Sequence, residues 1–109
     1  MIEVSIYRDA EGRIQEITQS SSQMAESAET AQAVWLLLRT AAIGLQDYLK
    51  LNPQLTGDAD GFRCRVERDS LLNREIDAIL ETALLGLKEL AESYADQLVV
   101  KEIAGPVKA

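Results

Sequence analysis

The feature that most constrains the fold is an apolar stretch over residues 31–45, which a single charge, Arg39, interrupts. The stretch is too short and too charged to span a membrane. A helix that is apolar on most sides is usually buried on most sides. We therefore predict a long helix over residues 28–51, ended by Asn52-Pro53, that needs cover on more than one face.

A strand hairpin is predicted before this helix. Apolar and polar residues alternate over residues 2–7, as in a half-buried strand. A turn with Gly12 in a positive-φ conformation leads to a second strand over residues 13–18. The isoleucines of that strand are unevenly spaced, which suggests a β-bulge.

The second half of the chain predicts another strand and another helix. A turn-rich loop over residues 56–61 precedes an alternating segment over residues 62–67. Apolar residues then recur at three- and four-residue spacing over residues 70–94, which is typical of an amphipathic helix. Asp69 or Ser70 is placed to cap its first turn.

With a final strand over residues 97–103, the predicted order is β-β-α-β-α-β. We expect an α+β fold in which two long helices pack on one face of a four-stranded sheet. Residues 1–103 are expected to form a single domain, and residues 104–109 a short C-terminal tail.

Composition excludes several functions. The net charge is -7 and the isoelectric point is about 4.5, so the surface should repel nucleic acids and anionic membranes and suit a basic partner. No histidine is present, which removes the commonest general base and nitrogen ligand. We therefore expect no metal and no cofactor. A single cysteine fits a reducing compartment, and the N-terminus lacks a signal-peptide pattern, so we expect a cytoplasmic location.

Three segments resemble the ribosomal-processing cysteine protease family, Prp, and the match covers residues 1–103. Residues 2–14 resemble the first hairpin of that family, residues 82–94 resemble its last helix, and Gly44-Leu45 matches the middle of its first helix. The resemblance implies a small, usually dimeric protein. It also implies a cysteine protease that trims the N-terminal extension of a large-subunit ribosomal protein.

The catalytic positions of that family are not preserved here. The resemblance places a histidine after the second strand and a cysteine at the start of the first helix. Counting from Gly12 puts the histidine position at Ser22, and counting from flanking segments puts the cysteine position at Ala31 or Gln32. The one thiol, Cys64, belongs to a later strand, where core packing is expected. The sequence thus predicts a protein without the catalytic pair.

Other polar and aromatic residues near these positions have structural interpretations. A serine or threonine nucleophile needs a base, but the chain has no histidine and its lysines are distant in sequence. Helix capping and loop solvation are therefore favoured over catalysis for Ser20, Ser21, Ser22 and Thr30. Four acidic residues could form a carboxylate pair or an oxygen-ligand metal site, but their spacing matches no ligand motif and surface solvation is expected for Asp9, Glu16, Glu26 and Glu29. Trp35 is expected to pack in the core or at a subunit interface, and Arg39 to pair with an acid or extend to the surface.

Three functions follow as hypotheses. The first is a non-catalytic, homodimeric Prp-like protein that binds a ribosomal protein or its N-terminal peptide. The second is an active peptidase that uses residues unlike those of the family. The third is a structural dimer unrelated to ribosomes. The missing histidine and the missing helix-start cysteine argue against the second hypothesis.

Overall fold

A computed structural model describes residues 1–21, 28–58 and 61–103. The described elements follow one another as β1 (Ile2–Arg8), β2 (Ile14–Ser21), α1 (Ala28–Ile43), a π-helical turn (Gly44–Tyr48), β3 (Gln54–Asp58), β4 (Gly61–Arg65), α2 (Asn73–Ser93) and β5 (Leu98–Ile103). The α+β class and the predicted order of helices are therefore confirmed.

The sheet has five strands where the sequence predicted four. Their order is β3-β4-β2-β1-β5, with β5 parallel to β1 and every other pair antiparallel. The additional strand, β3, lies partly in the segment predicted as a turn-rich loop. An edge strand needs little buried surface, and Leu55 is the one large apolar residue of β3. The sequence of β3 therefore shows no alternation of apolar and polar residues. Gly57, which the sequence suggested as a turn residue, pairs with Phe62 of β4.

The turn and the bulge of the first hairpin are as predicted, whereas β2 runs to Ser21, three residues beyond the predicted end of the second strand. Gly12 has a φ of 84° in the β1–β2 turn. The register shifts at the end of β1, where Tyr7 lies opposite Glu16 but Arg8 lies opposite Ile14. This irregularity is the bulge that the uneven spacing of the isoleucines predicted.

Helical structure in the first helix ends earlier than predicted. The π-helical turn stops at Tyr48, and Lys50 then takes a φ of 60°. A non-glycine residue in the left-handed region reverses the chain, so the helix ends before Asn52-Pro53 rather than because of it.

The start of α2 corrects a second prediction. The helix begins at Asn73, and its N-cap residue, Leu72, makes no capping side-chain hydrogen bond. The Asp69 carboxylate instead accepts a hydrogen bond from the Leu71 backbone N–H at 2.9 Å, and the Asp69 carbonyl accepts one from the Leu72 N–H at 2.9 Å. Asp69 therefore closes the turn before the helix rather than capping it.

The core lies between the sheet and the two helices. The apolar residues of β1 are fully buried, and the helices contribute residues at helical spacing. The largest fully buried side chains include Ile2, Ile6, Leu45, Ile76, Leu80, Leu84 and Leu87. The opposite face of the sheet carries polar residues and ion pairs, such as that between Lys101 and Glu3. None of the described helices is long and apolar enough to cross a membrane.

Candidate functional site

The start of α1 holds both residues predicted at the degenerate cysteine position. Ala31 is partly buried and Gln32 is exposed, and both lie within five residues of the start of the helix. The first N–H groups of a helix have no partner within the helix and attract negative charge. Glu29 supplies an acidic group in the first turn. The helix start can therefore donate hydrogen bonds, but neither predicted residue is a nucleophile.

Ser22 and Glu26 lie outside the described residues, so the predicted histidine position has no structural description. Strand β2, which precedes this position in the sequence, is described up to its last residue. Ser20 is exposed on β2 and lies between Glu3 of β1 and Gly61 of β4. The end of β2 and the beginning of α1 thus flank a segment that the structure does not describe.

An aromatic pair lies one helical turn beyond Ala31. Trp35 is partly buried, and its ring meets Phe62 of β4 edge to face, with centroids 5.3 Å apart and planes at 89°. Residues four apart lie on one side of a helix, so Ala31 and Trp35 share a flank of α1. Trp35 therefore packs against the core and keeps part of its surface exposed. Sequence periodicity gave no signal that Phe62 was its partner.

Cys64 lies on β4, opposite Ile17 of β2 and Leu55 of β3. It is buried, with 5% of its surface exposed, on the core face of the sheet. Burial, and to a smaller extent the negative charge of Glu16, raises the pKa of the Cys64 thiol to about 11. A thiol in this environment stays protonated and packs as a small apolar group, as predicted.

Glu16 is an exception to the expected surface solvation of the carboxylates. It is 7% exposed, and its Oε2 lies 2.9 Å from the Nε of Arg63. A second cation, Arg65, approaches its Oε1 at 3.4 Å. Two guanidinium groups compensate the cost of burying this carboxylate on the open face of the sheet. The local sequence gives no sign of this burial because the two arginines are 47 and 49 residues away.

The described carboxylates among the other predicted residues do not form a ligand cluster. The Asp9 carboxylate accepts hydrogen bonds from the backbone N–H groups of Glu11 at 2.9 Å and Arg13 at 3.0 Å, and so holds the β1–β2 turn. Glu29 is exposed at the start of α1. Within residues 1–21, 28–58 and 61–103, no group of three or more potential ligands is arranged around a metal ion.

An ion-pair network joins α2 to the edge of the sheet. Arg8 at the end of β1 bonds Glu81 of α2 at 2.7 Å and Glu102 of β5 at 3.1 Å. The Lys88 ammonium also lies 2.7 Å from Glu102. Hydrogen bonds from Lys88 and then from Arg8 lower the pKa of Glu102. This network holds the end of β5 against β1 and α2, and we therefore assign it a structural role.

A long apolar groove separates the outer surfaces of the two helices. Its volume is about 820 Å³, and nearly all of its lining comes from the outer sides of α1 and α2. The lining residues are Ala33, Leu36, Leu37, Thr40, Ala41, Gly44, Tyr48, Ile79, Thr82, Ala83, Gly86, Glu89, Leu90 and Ser93. The sequence predicted that the first helix needs cover on a second side. Residues 1–21, 28–58 and 61–103 leave this side uncovered.

The fold is that of the Prp type, a two-layer α+β protein with both helices on one face of the sheet. The ribosomal processing protease Prp from S. aureus, solved with a substrate peptide, superimposes with a TM-score of 0.82 at 19% identity, over 94% of this chain and 100% of that one. SMU.848 from Streptococcus mutans gives 0.80 at 16% identity, over 94% of each chain. A hypothetical protein from Staphylococcus aureus gives 0.72 at 22% identity, over 94% of this chain and 100% of that one.

The resemblance predicted from three sequence segments is thus confirmed at the level of the fold. No protein-family model and no curated protein matches the sequence. Identities of this size establish a shared architecture, and architecture alone does not fix chemistry. Function therefore has to be argued from the residues at the site.

Proposed function

We propose that this protein is a non-catalytic relative of Prp that acts in the cytoplasm as a homodimer and binds an extended peptide at the start of α1. The observation that carries the proposal is the residue content of that helix start. Ala31 and Gln32 stand where the resemblance places a cysteine, and the thiol of Cys64 is buried on β4. The protein keeps the scaffold of a peptidase without its nucleophile.

Cysteine proteolysis needs a thiolate beside a base. The burial that raises the pKa of Cys64 works against the thiolate, and the chain contains no histidine to accept its proton. The environment of Cys64 thus supports a packing role for the thiol.

A serine–lysine mechanism has equally little support. Lys88 and Lys101 are engaged with Glu102 and Glu3. Lys50 follows the far end of α1, roughly 25–30 Å from the helix start at about 1.5 Å of rise per residue. The hydroxyl groups of β2 have no described lysine base beside them, so the active-peptidase hypothesis is disfavoured.

Peptide binding is supported by three features. The dipole of α1 makes its N-terminal end attractive to the carbonyl oxygens of a peptide, and the partly exposed Trp35 offers apolar contact one turn away. The net charge of -7 suits a basic chain such as a ribosomal protein. Two of the Prp structures with this fold were solved with a substrate peptide and with a covalently linked product peptide. We propose a ribosomal protein, through its N-terminal peptide, as the partner.

The homodimer is supported by the apolar groove between α1 and α2. Exposed apolar surface of this extent on a small domain marks an interaction site. The same groove would serve a structural dimer unrelated to ribosomes, which is the alternative function. A peptide-binding measurement distinguishes the two hypotheses, because only the Prp-like protein is expected to bind the ribosomal peptide.

The test is calorimetric titration of the pure protein with a synthetic N-terminal extension peptide and with its scrambled sequence. We expect saturable binding of the first peptide alone. Gln32→Arg should weaken it roughly tenfold by placing a bulky side chain at the helix start, about 1.4 kcal/mol. Gln46→Arg makes the same change at the far end of the helix and should leave affinity unchanged. Absence of binding, or equal effects of both substitutions, would contradict the proposal.

A further inference from the structure

The outer surface of the helix layer is unusually apolar for an exposed surface. Leu36 is 64% exposed and Leu85 is 66% exposed, while Ile43 and Tyr48 also carry exposed apolar surface near the end of α1. Among the described residues that line the groove between the helices, Glu89 alone is charged. A surface of this kind needs a partner that brings apolar side chains and at most a few cations.

Small residues in the lining let α1 and α2 lie close together. A methyl group added at Gly86 would meet Leu37 at 3.4 Å, and one added at Gly44 would meet Ile79 at 3.5 Å. These contacts also show that α2 lies on the flank of α1 that carries Leu37 and Gly44. The groove between the two helices is therefore shaped to accept a ridge of side chains from a third helix.

Arg39 lies on the opposite flank of α1. It is two residues from Leu37, and at about 100° per residue this turns it by about 200°. It is exposed, and it is adjacent on the helix surface to Leu36 and Ile43, which are three and four residues away.

Arg39 is one of three described basic residues without an ion pair, and of the three it is the one that lies within α1. Seven described cations pair with carboxylates, namely Arg8, Arg13, Arg63, Arg65, Arg68, Lys88 and Lys101. Within the described part of the chain, no carboxylate is within ion-pair distance of Arg39. Any partner that covers Leu36 and Ile43 also reaches Arg39, and therefore has to supply a negative charge there.

We infer that the groove receives α1 of a second copy of this chain, and that Arg39 of each copy pairs with Glu89 of the other. The inference rests on the proposed homodimer and specifies its interface. The arrangement has a two-fold axis parallel to the helices. When the partner's α1 lies in the groove between α1 and α2, the symmetry places the partner's α2 against the flank of α1 that faces away from α2. Arg39 lies on that flank. Glu89 is on the outer side of α2. The contacts of Leu37 with Gly86 and of Ile79 with Gly44 put it about five residues, or roughly 7–8 Å, from the level of Arg39 along the helix axis, which the two long side chains can span.

A second copy also fits the groove by its own chemistry. The outer side of α1 supplies Leu36 and Ile43 as a ridge, and the lining of the groove is made mostly of small and apolar residues. The two-fold symmetry repeats the Arg39–Glu89 pair, so each dimer gains two ion pairs. These pairs offset part of the repulsion between two chains that each carry a net charge of -7.

The test is the dimer dissociation constant, measured by sedimentation equilibrium for four variants and the parent chain. Arg39→Glu and Glu89→Arg should each weaken the dimer roughly ten- to hundredfold, because each creates two like-charge contacts. The double variant restores opposite charges and should return to within about threefold of the parent protein. Lys50→Glu makes the same charge change outside both α-helices and should have little effect.

The possible results distinguish the Arg39–Glu89 pair from the homodimer on which it depends. Loss of dimer in each single variant with recovery in the double variant supports the pair. A stable parent dimer that responds to Arg39→Glu no more than to Lys50→Glu, or a double variant without recovery, overturns the pair and leaves the homodimer standing. A parent chain that stays monomeric at tens of micromolar overturns both. All substituted positions are exposed, and circular dichroism checks that each variant folds.

Discussion

Alkylation of Cys64 should be very slow in the folded protein. The thiolate is the reacting species. With a pKa of about 11, the thiol is ionised to roughly 0.1% at pH 8, whereas an ordinary thiol with a pKa near 8.5 is ionised to roughly a quarter. This difference alone slows the reaction by about two hundredfold, and burial of the sulfur slows it further.

The assay is iodoacetamide labelling followed by mass spectrometry of the intact chain, which carries a single cysteine. The control is the same protein unfolded in guanidinium chloride. At pH 8 we expect the folded protein to react at least about a hundredfold more slowly. Its rate should still rise between pH 9 and pH 10, where that of an ordinary thiol levels off. A folded rate within tenfold of the control would refute the assignment of Cys64 to the core.

Three further predictions concern stability and are checked by guanidinium or thermal unfolding. Leu80→Ala should lower the free energy of unfolding by about 2–5 kcal/mol, whereas Leu71→Ala, at a position 88% exposed, should change it by less than about 0.5 kcal/mol. Gly57→Ala should cost about 1–3 kcal/mol, because φ is 94° and the new methyl group would collide with the backbone of Gly61. The lowered pKa of Glu102 stabilises the fold above the ordinary carboxylate pKa. That contribution should disappear as the pH falls through the folded value, and Glu102→Gln should remove this pH dependence.

The sequence predicted those elements whose burial leaves a periodic pattern. Strand β1 shows it most clearly, because Ile2, Val4 and Ile6 are fully buried and alternate with polar residues. The bulge in β2 was visible for the same reason. Strand β3 was missed because an edge strand with one large apolar residue produces no alternation.

Contacts between distant residues were beyond the reach of the sequence. The burial of Glu16 depends on Arg63 and Arg65, and nothing in the local sequence of β2 signals them. We expected α1 to be buried on most sides. The side of α1 that faces the sheet is buried, as expected. The described residues leave its outer side uncovered, with Leu36 exposed.

The candidate site could be predicted only in part. Counting from flanking segments left the choice between Ala31 and Gln32 open. The structure places both near the start of α1, so the absence of a nucleophile there does not depend on the choice. The environment of Cys64 followed from strand alternation alone, whereas its pairing with Ile17 and Leu55 required the sheet topology.

The measurement that tests the central claim most directly is incubation of the pure protein with the N-terminal extension peptide, read by mass spectrometry over many hours. An active Prp serves as the positive control, and a Cys64→Ser variant runs in parallel. The account predicts intact peptide with the parent protein and with the variant, and cleaved peptide with the control. Specific cleavage that Cys64→Ser abolishes would contradict the assignment of the thiol to the core. Specific cleavage that survives the substitution would contradict the claim that the protein is non-catalytic.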